Sequence, residues 1–96
     1  MKTINCSELQ DLSCHTTKIK ELDLIKCKDL RKLACNNTKI TDLNVSMCNN
    51  LSSLMANSMP ISVLDISNCT ELTELSCYST QISILDVANC TKLRKL

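Results

Sequence analysis

The sequence repeats itself every 21 residues, and this period constrains the fold more than any other feature. One column of the repeat consists only of cysteine, at Cys6, Cys27, Cys48, Cys69 and Cys90. Six further apolar columns keep the same register, and they begin at Leu9, Leu12, Cys14, Ile19, Leu22 and Leu24. Seven columns in register over more than four copies predict a stacked coil in which each copy forms one turn.

Two short segments of each copy alternate between apolar and other residues, as in 12–14 and 22–24 of the first copy. Such alternation is typical of a strand with one face toward a core. Turns that stack about 4.8 Å apart pair equivalent strands in parallel. We therefore predict two short parallel β ladders around a thin aliphatic core, with little or no helix.

The 96 residues correspond to about 4.5 such turns and to a single domain over 1–96. The repeats begin near residues 6, 27, 48, 69 and 90. The turns must form without glycine, which is absent from the sequence. Asparagine can take left-handed backbone conformations in place of glycine. We expect such conformations within Asn36-Asn37, Asn49-Asn50 and Asn57-Ser58.

The repeat resembles the leucine-rich repeat family, whose L-x-x-L-x-L-x-x-(N/C) signature is matched by Ile19-x-x-Leu22-x-Leu24-x-x-Cys27 and its copies. The repeat length and the doubled L-x-x-L motif are similar to the short Irreko-type repeats of bacteria. Residues 65–72 resemble repeats of large bacterial surface proteins. The resemblance implies a right-handed leucine-rich repeat solenoid that acts as an interaction scaffold and carries no catalytic residues.

Charge and hydropathy argue against several classes of partner. Eleven basic and ten acidic residues give a net charge of +1, which offers no electrostatic basis for binding nucleic acid or membrane lipid. No apolar run reaches the ~18 residues of a membrane span, and residues 1–6 lack the apolar stretch of a secretory signal. The compartment stays open between a reducing cytoplasm, which suits buried thiols, and a bacterial surface, to which the resemblance points.

Eight cysteines raise the alternative of a metal-binding or redox-sensing protein built on a ladder of thiols. The other interpretation treats each thiol as a small apolar group that makes weak hydrogen bonds to the backbone. No C-x-x-C pair is present, and His15 is the one histidine. We therefore predict no metal and no cofactor, and the thiol-ladder function stays the alternative.

Two other polar features have a conceivable chemical function. The column of Asp23, Asn44, Asp65 and Asp86 offers oxygen ligands for calcium, but we interpret it as a solvated strand face. A nucleophile activated by His15 would require a third group to orient the histidine, and we expect a solvent-facing loop residue instead. The chain is thus predicted not to be an enzyme.

A partner is expected where the third repeat departs from the others. The candidate partner-binding residues are Met55, Met59, Val63, Tyr78 and Ile84, which we expect to form one exposed apolar area. The alternatives are repacking around the small Ala56 or contact with a missing neighbouring segment. The partner is expected to be a protein.

Neither end of the repeat array shows a polar capping segment. Uncapped turns present open backbone edges and apolar cross-sections. The expectations are self-association through the open solenoid ends, or a chain that is a fragment of a longer bacterial protein.

Overall fold

The fold is built around one parallel sheet on one side of the coil. A computed structural model describes residues 10–14, 18–20, 22, 24 and 26–95. The strands are β1 (Asp11–Ser13), β2 (Lys32–Ala34), β3 (Ser53–Met55) and β4 (Glu74–Ser76). They pair in the order β1-β2-β3-β4, all parallel. Each residue pairs with the residue 21 positions later, as in Leu33 with Leu54, so the sequence period is the sheet register.

The described part of the chain contains one ladder, and the prediction of a second was wrong. The segments around Asn44, Asp65 and Asp86 form no strand. Their backbone is engaged locally, because Asp65 Oδ1 accepts a hydrogen bond from the Ser67 N–H at 3.0 Å. Two consecutive turns follow, in which the Ile66 carbonyl accepts from the Cys69 N–H. The Ile66 carbonyl accepts a backbone N–H from its own turn and not from the next one, so alternation here buries side chains without pairing strands.

The strands also fall on a different copy of the L-x-x-L motif from the one that we matched to the family signature. Three of the four described strands are centred on the leucine of L-x-C, as in Leu33 of the stretch Leu30-x-x-Leu33-x-Cys35, and β3 is centred on the equivalent Leu54, which is followed by Ala56. The equivalent described stretch from Ile40 to Cys48 forms no strand and ends in a turn in which the Val45 carbonyl accepts from the Cys48 N–H. Because the L-x-x-L motif occurs twice in each repeat, either copy can be aligned with the family signature.

The inward columns form one continuous core. Leu54 in β3 is fully buried, as are Ile61 and Leu72 on the other segments of the same turn. Because all parts of a turn direct side chains to one centre, the coil encloses a thin aliphatic interior. The last described turn is less covered, and its inward residues Ile82, Leu85, Val87 and Leu93 are only partly buried.

Three residues at one column of the repeat adopt the left-handed conformation, with φ of 58° at Asn37, 57° at Ser58 and 55° at Ser79. The expectation of a left-handed asparagine is confirmed at Asn37, whereas in 57–58 the left-handed residue is Ser58. The expectation was wrong for 49–50, whose residues have ordinary negative φ. A residue with a Cβ is strained in this region, and asparagine tolerates it better than serine.

Replacing Ser58 with glycine is therefore expected to stabilise the fold by about 1 kcal/mol, because glycine takes positive φ without a steric penalty. Urea unfolding at neutral pH measures the change. The matched control is Ser62→Gly, at an exposed site without positive φ, which is expected to destabilise the chain by about 0.5–1 kcal/mol through backbone entropy. Equal effects at the two positions would contradict the explanation.

Candidate functional site

Met55 lies on the solvent side of the sheet, at the centre of the described face. Its side chain is half-buried in β3, flanked in the same column by Ala34 and Ser76. A shallow depression of about 270 Å³ lies beside it, lined by Met55, Glu74, Leu75, Ser76 and Lys95. A large flexible thioether among small neighbours offers an adaptable apolar contact at a solvent-accessible position.

Met59 does not lie on this surface, and the expectation that it is exposed was wrong. Its side chain is only 2% exposed, and its sulfur lies 3.7 Å from the thiol sulfur of Cys35. Met59 follows Ala56, which stands where the turns on either side carry Cys35 and Cys77. The long thioether thus occupies core volume beside the small alanine, which is the repacking alternative.

The remaining candidates are exposed, and Val63 and Ile84 lie on a different segment of the coil from Met55. Val63 and Ile84 are 73% and 84% exposed, in one column of the segment that closes the coil behind the core. Tyr78 is 67% exposed in the turn after β4. Since Met55 and Val63 project from opposite sides of the core, they cannot contact one partner surface together. Sequence reasoning missed Met47, which is 48% exposed in the otherwise polar column of Lys26, Asn68 and Asn89.

A polar groove runs beside the sheet where the turns enter the strands, and the sequence analysis also missed it. It has a volume of about 330 Å³ and is lined by Arg31, Asn50, Ser52, Glu71, Thr73 and Lys92. Lys92 Nζ and a Glu71 carboxylate oxygen form an ion pair across successive turns at 2.7 Å. The signal was present in sequence, because the lining residues belong to two columns of the repeat.

Five of the described cysteines are buried, whereas Cys14 and Cys77 are partly exposed. Cys27, Cys35, Cys48 and Cys69 have no exposed surface. The thiols donate weak hydrogen bonds to carbonyls of neighbouring turns, from Cys69 Sγ to Val45 at 3.8 Å and from Cys90 Sγ to Ile66 at 3.6 Å. These contacts match the interpretation of each thiol as a small apolar group that also bonds to backbone.

Burial keeps these thiols protonated. Desolvation raises the pKa of Cys48 to about 11 and that of Cys35 to about 12. The pKa of Cys69 rises to about 12 by desolvation, with a further contribution from the neighbouring Cys48 and Cys90. The thiolate is the form that attacks electrophiles and binds metal, so these residues are poorly suited to either chemistry. No cluster of three or more metal-ligating side chains occurs among the residues that the structure describes.

These shifts predict that stability falls as pH rises from about 9 toward 12. The unfolded chain loses thiol protons near its ordinary pKa, whereas the folded chain keeps them, so the stabilisation is complete below pH 9. Each fully shifted thiol contributes at most about 1.4 kcal/mol per pH unit in this window. Urea unfolding under reductant at pH 8, 9.5 and 10.5 measures the slope. Cys69→Ala removes one thiol and is expected to flatten it, whereas parallel profiles for the two proteins would contradict the assignment.

The acidic column serves the turns. Asn44, Asp65 and Asp86 each accept, through Oδ1, a hydrogen bond from the N–H two residues later, at 2.9–3.0 Å. The hydrogen bonds from Ser67 also lower the pKa of Asp65. Each side chain thus holds its own turn instead of lining the strand face that we expected. Asp23 of this column and His15 lie outside the described residues.

No helix among the described residues is long and apolar enough to cross a membrane.

The parallel sheet, the opposite row of consecutive turns and the aliphatic columns between them define a strand-rich solenoid with a fold like that of leucine-rich repeats. The chain is similar to the functional domain of InlJ from Listeria monocytogenes, a structure that includes a cysteine ladder, with a TM-score of 0.88 and 32% identity. The similarity covers 91% of this chain, which spans 19% of the InlJ chain. No protein-family model matches the chain, and no curated protein matches it.

Proposed function

We propose that this chain is a non-catalytic protein-interaction module that binds its partner through the sheet face centred on Met55. The observation that carries the proposal is the contrast between inward and outward columns. The inward strand column is leucine in every turn, at Leu12, Leu33, Leu54 and Leu75. The outward columns vary from turn to turn, because the fold does not require the same residue at these positions. The sheet therefore presents a varied set of side chains on a rigid backbone.

The chemistry of the face favours binding over catalysis. Ser53, Ala34 and Ser76 leave room around Met55, and Lys32 and Glu74 lie on the flanking strands. An apolar centre with polar neighbours is the usual anatomy of a protein interface. The similarity to InlJ supports a scaffold of this kind, because the two share the solenoid and the cysteine ladder.

The test is to select binders for the purified chain from a displayed protein library and to measure their affinity for two variants. Met55→Lys is expected to weaken binding about tenfold or more, as at an interface centre. Ile84→Lys, on the opposite side of the core, is the matched control and is expected to change affinity less than twofold. The proposal fails if the selected binders lose affinity for Ile84→Lys and keep it for Met55→Lys.

A further inference from the structure

A row of polar residues runs along one column of the repeat and lines the groove from Arg31 to Thr73. Arg31, Ser52, Thr73 and Arg94 occupy one column of four successive turns. Their backbones are directly linked, because Ser52, Thr73 and Arg94 each donate an N–H hydrogen bond to the preceding residue of the column at 2.8–2.9 Å. Three steps of about 4.8 Å place the two arginines about 14 Å apart along the solenoid axis.

The two arginines are exposed and available to an anionic ligand. Within the residues that the structure describes, neither Arg31 nor Arg94 forms an ion pair with a carboxylate. Their neighbours in the column carry no charge. Lys32 and Lys95 lie next to them in sequence, so each end of the row is a pair of cations. Arginine binds carboxylates through paired hydrogen bonds, which makes it well suited to this task.

The centre of the row consists of the small polar side chains of Ser52 and Thr73. Ser52 Oγ donates to the Arg31 carbonyl at 3.1 Å, and Thr73 Oγ1 donates to the Ser52 carbonyl at 3.0 Å, so both side chains are turned toward the backbone. Asn50 lines the same groove. A ligand that spans the two arginines thus passes over small side chains whose hydroxyl oxygens can still accept hydrogen bonds.

The charge between the two ends selects against a continuous polyanion. No lysine or arginine occurs between Lys39 and Lys92, whereas this stretch holds Asp42, Asp65, Glu71, Glu74 and Asp86. Of these, Glu71 lines the groove, and Glu74 is the first residue of β4, directly after Thr73 of the row. A ligand with negative charge along its whole length would meet these carboxylates, whereas one with two separated charges would not.

We propose that this groove binds an extended peptide segment that carries two acidic side chains four residues apart with uncharged or basic residues between them. An extended chain advances 3.2–3.4 Å per residue, so four residues span about 13–14 Å, which is the separation of Arg31 and Arg94. The inference rests on the proposed protein-interaction function. It specifies the chemistry of the partner segment that binds at the edge of the same sheet face.

The experiment titrates the ¹⁵N-labelled chain with four uncharged-spacer peptides, in which two glutamates stand two, four or eight positions apart, or are replaced by glutamine. We expect the four-position peptide to bind about fivefold tighter than the others and to shift the amide signals of Ser52 and Thr73. Arg31→Gln and Arg94→Gln are each expected to weaken it about threefold to fivefold and to abolish the preference for spacing. Lys39→Gln, an exposed lysine outside the groove, is the control and is expected to change affinity less than twofold.

Equal binding of all spacings, equal loss in Lys39→Gln, or the absence of shifts at Ser52 and Thr73 would overturn the inference. Tighter binding of an oligothymidylate of any length would also overturn it and assign the groove to nucleic acid. The two proposals fail separately. If Met55→Lys abolishes binding of a library-selected partner and the double variant Arg31→Gln/Arg94→Gln does not, the proposed interaction module is supported. The same result contradicts the inference that the partner contains an acidic segment.

Discussion

Replacing Met59 with threonine is expected to destabilise the chain by about 2 kcal/mol, although the neighbouring turns have threonine at the equivalent positions, Thr38 and Thr80. Those threonines donate a hydrogen bond to the carbonyl three residues earlier, at 3.0 Å and 2.9 Å. Met59 makes no such bond and fills core volume beside Ala56. Threonine regains the hydrogen bond, but it leaves a cavity against Cys35, and the cavity is the larger effect.

The compensation is tested by adding Ala56→Cys, which restores the thiol of the neighbouring turns. Alone, Ala56→Cys is expected to destabilise the chain by about 1–3 kcal/mol, because the thiol competes with Met59 for space. The double variant is expected to recover to within about 1 kcal/mol of the parent, which corresponds to a favourable coupling between the sites. Urea unfolding of the four proteins measures this cycle. Additive effects of the two substitutions would show that Met59 and Ala56 are independent.

Replacing Asn57 with alanine is expected to destabilise the chain by about 2 kcal/mol, because one amide oxygen serves two donors. Asn57 Oδ1 accepts from Ser76 Oγ at 2.7 Å and from the Tyr78 N–H at 2.9 Å, and the side chain is buried. Asn36 makes the equivalent bond one turn earlier, accepting from the Asn57 N–H at 2.7 Å. Alanine leaves both donors unpaired at the junction between two turns.

The matched control for this prediction is Asn49→Ala, at an exposed position in the turn between Cys48 and Leu51. The expected change in the free energy of unfolding is within about 0.5 kcal/mol. Thermal or urea unfolding of the two variants gives the comparison. A loss at Asn49 as large as that at Asn57 would show that asparagine stabilises these turns by backbone preference alone. Hydrogen exchange gives a second measurement, because Asn57→Ala is expected to accelerate exchange of the Tyr78 amide selectively.

The core could be read from the sequence because every turn presents the same environment to the same column. Leu33, Leu54 and Leu75 were assigned inward from the repeat alone, and each is buried. The left-handed turns at Asn37 and Ser58 followed from the absence of glycine. The second ladder was predicted wrongly, because alternation reports which side chains point inward and does not report which backbone groups pair.

The candidate site was predicted less well because it depends on three-dimensional neighbours. Met59 and Val63 both depart from the repeat toward apolar residues, yet the first is buried and the second is 73% exposed. The difference arises because the column of Met59 faces inward, where Thr38 is also buried, and because the small Ala56 leaves volume for the longer side chain. The groove that Arg31 lines was missed in the sequence, because the neutral Ser52 and Thr73 separate the charged residues of its column.

The sequence by itself determined the length of each turn, the register of the stack and the identity of the inward columns, because a period of 21 residues allows only equivalent positions to meet. Among the described residues, the tertiary structure decided that the segments centred on Leu12, Leu33, Leu54 and Leu75 pair as a sheet, whereas Asn44, Asp65 and Asp86 bind the backbone of their own turns. It also decided which exceptions to the repeat face solvent. Those outcomes depend on competition between hydrogen bonds within and between turns, and on the space that neighbouring side chains leave.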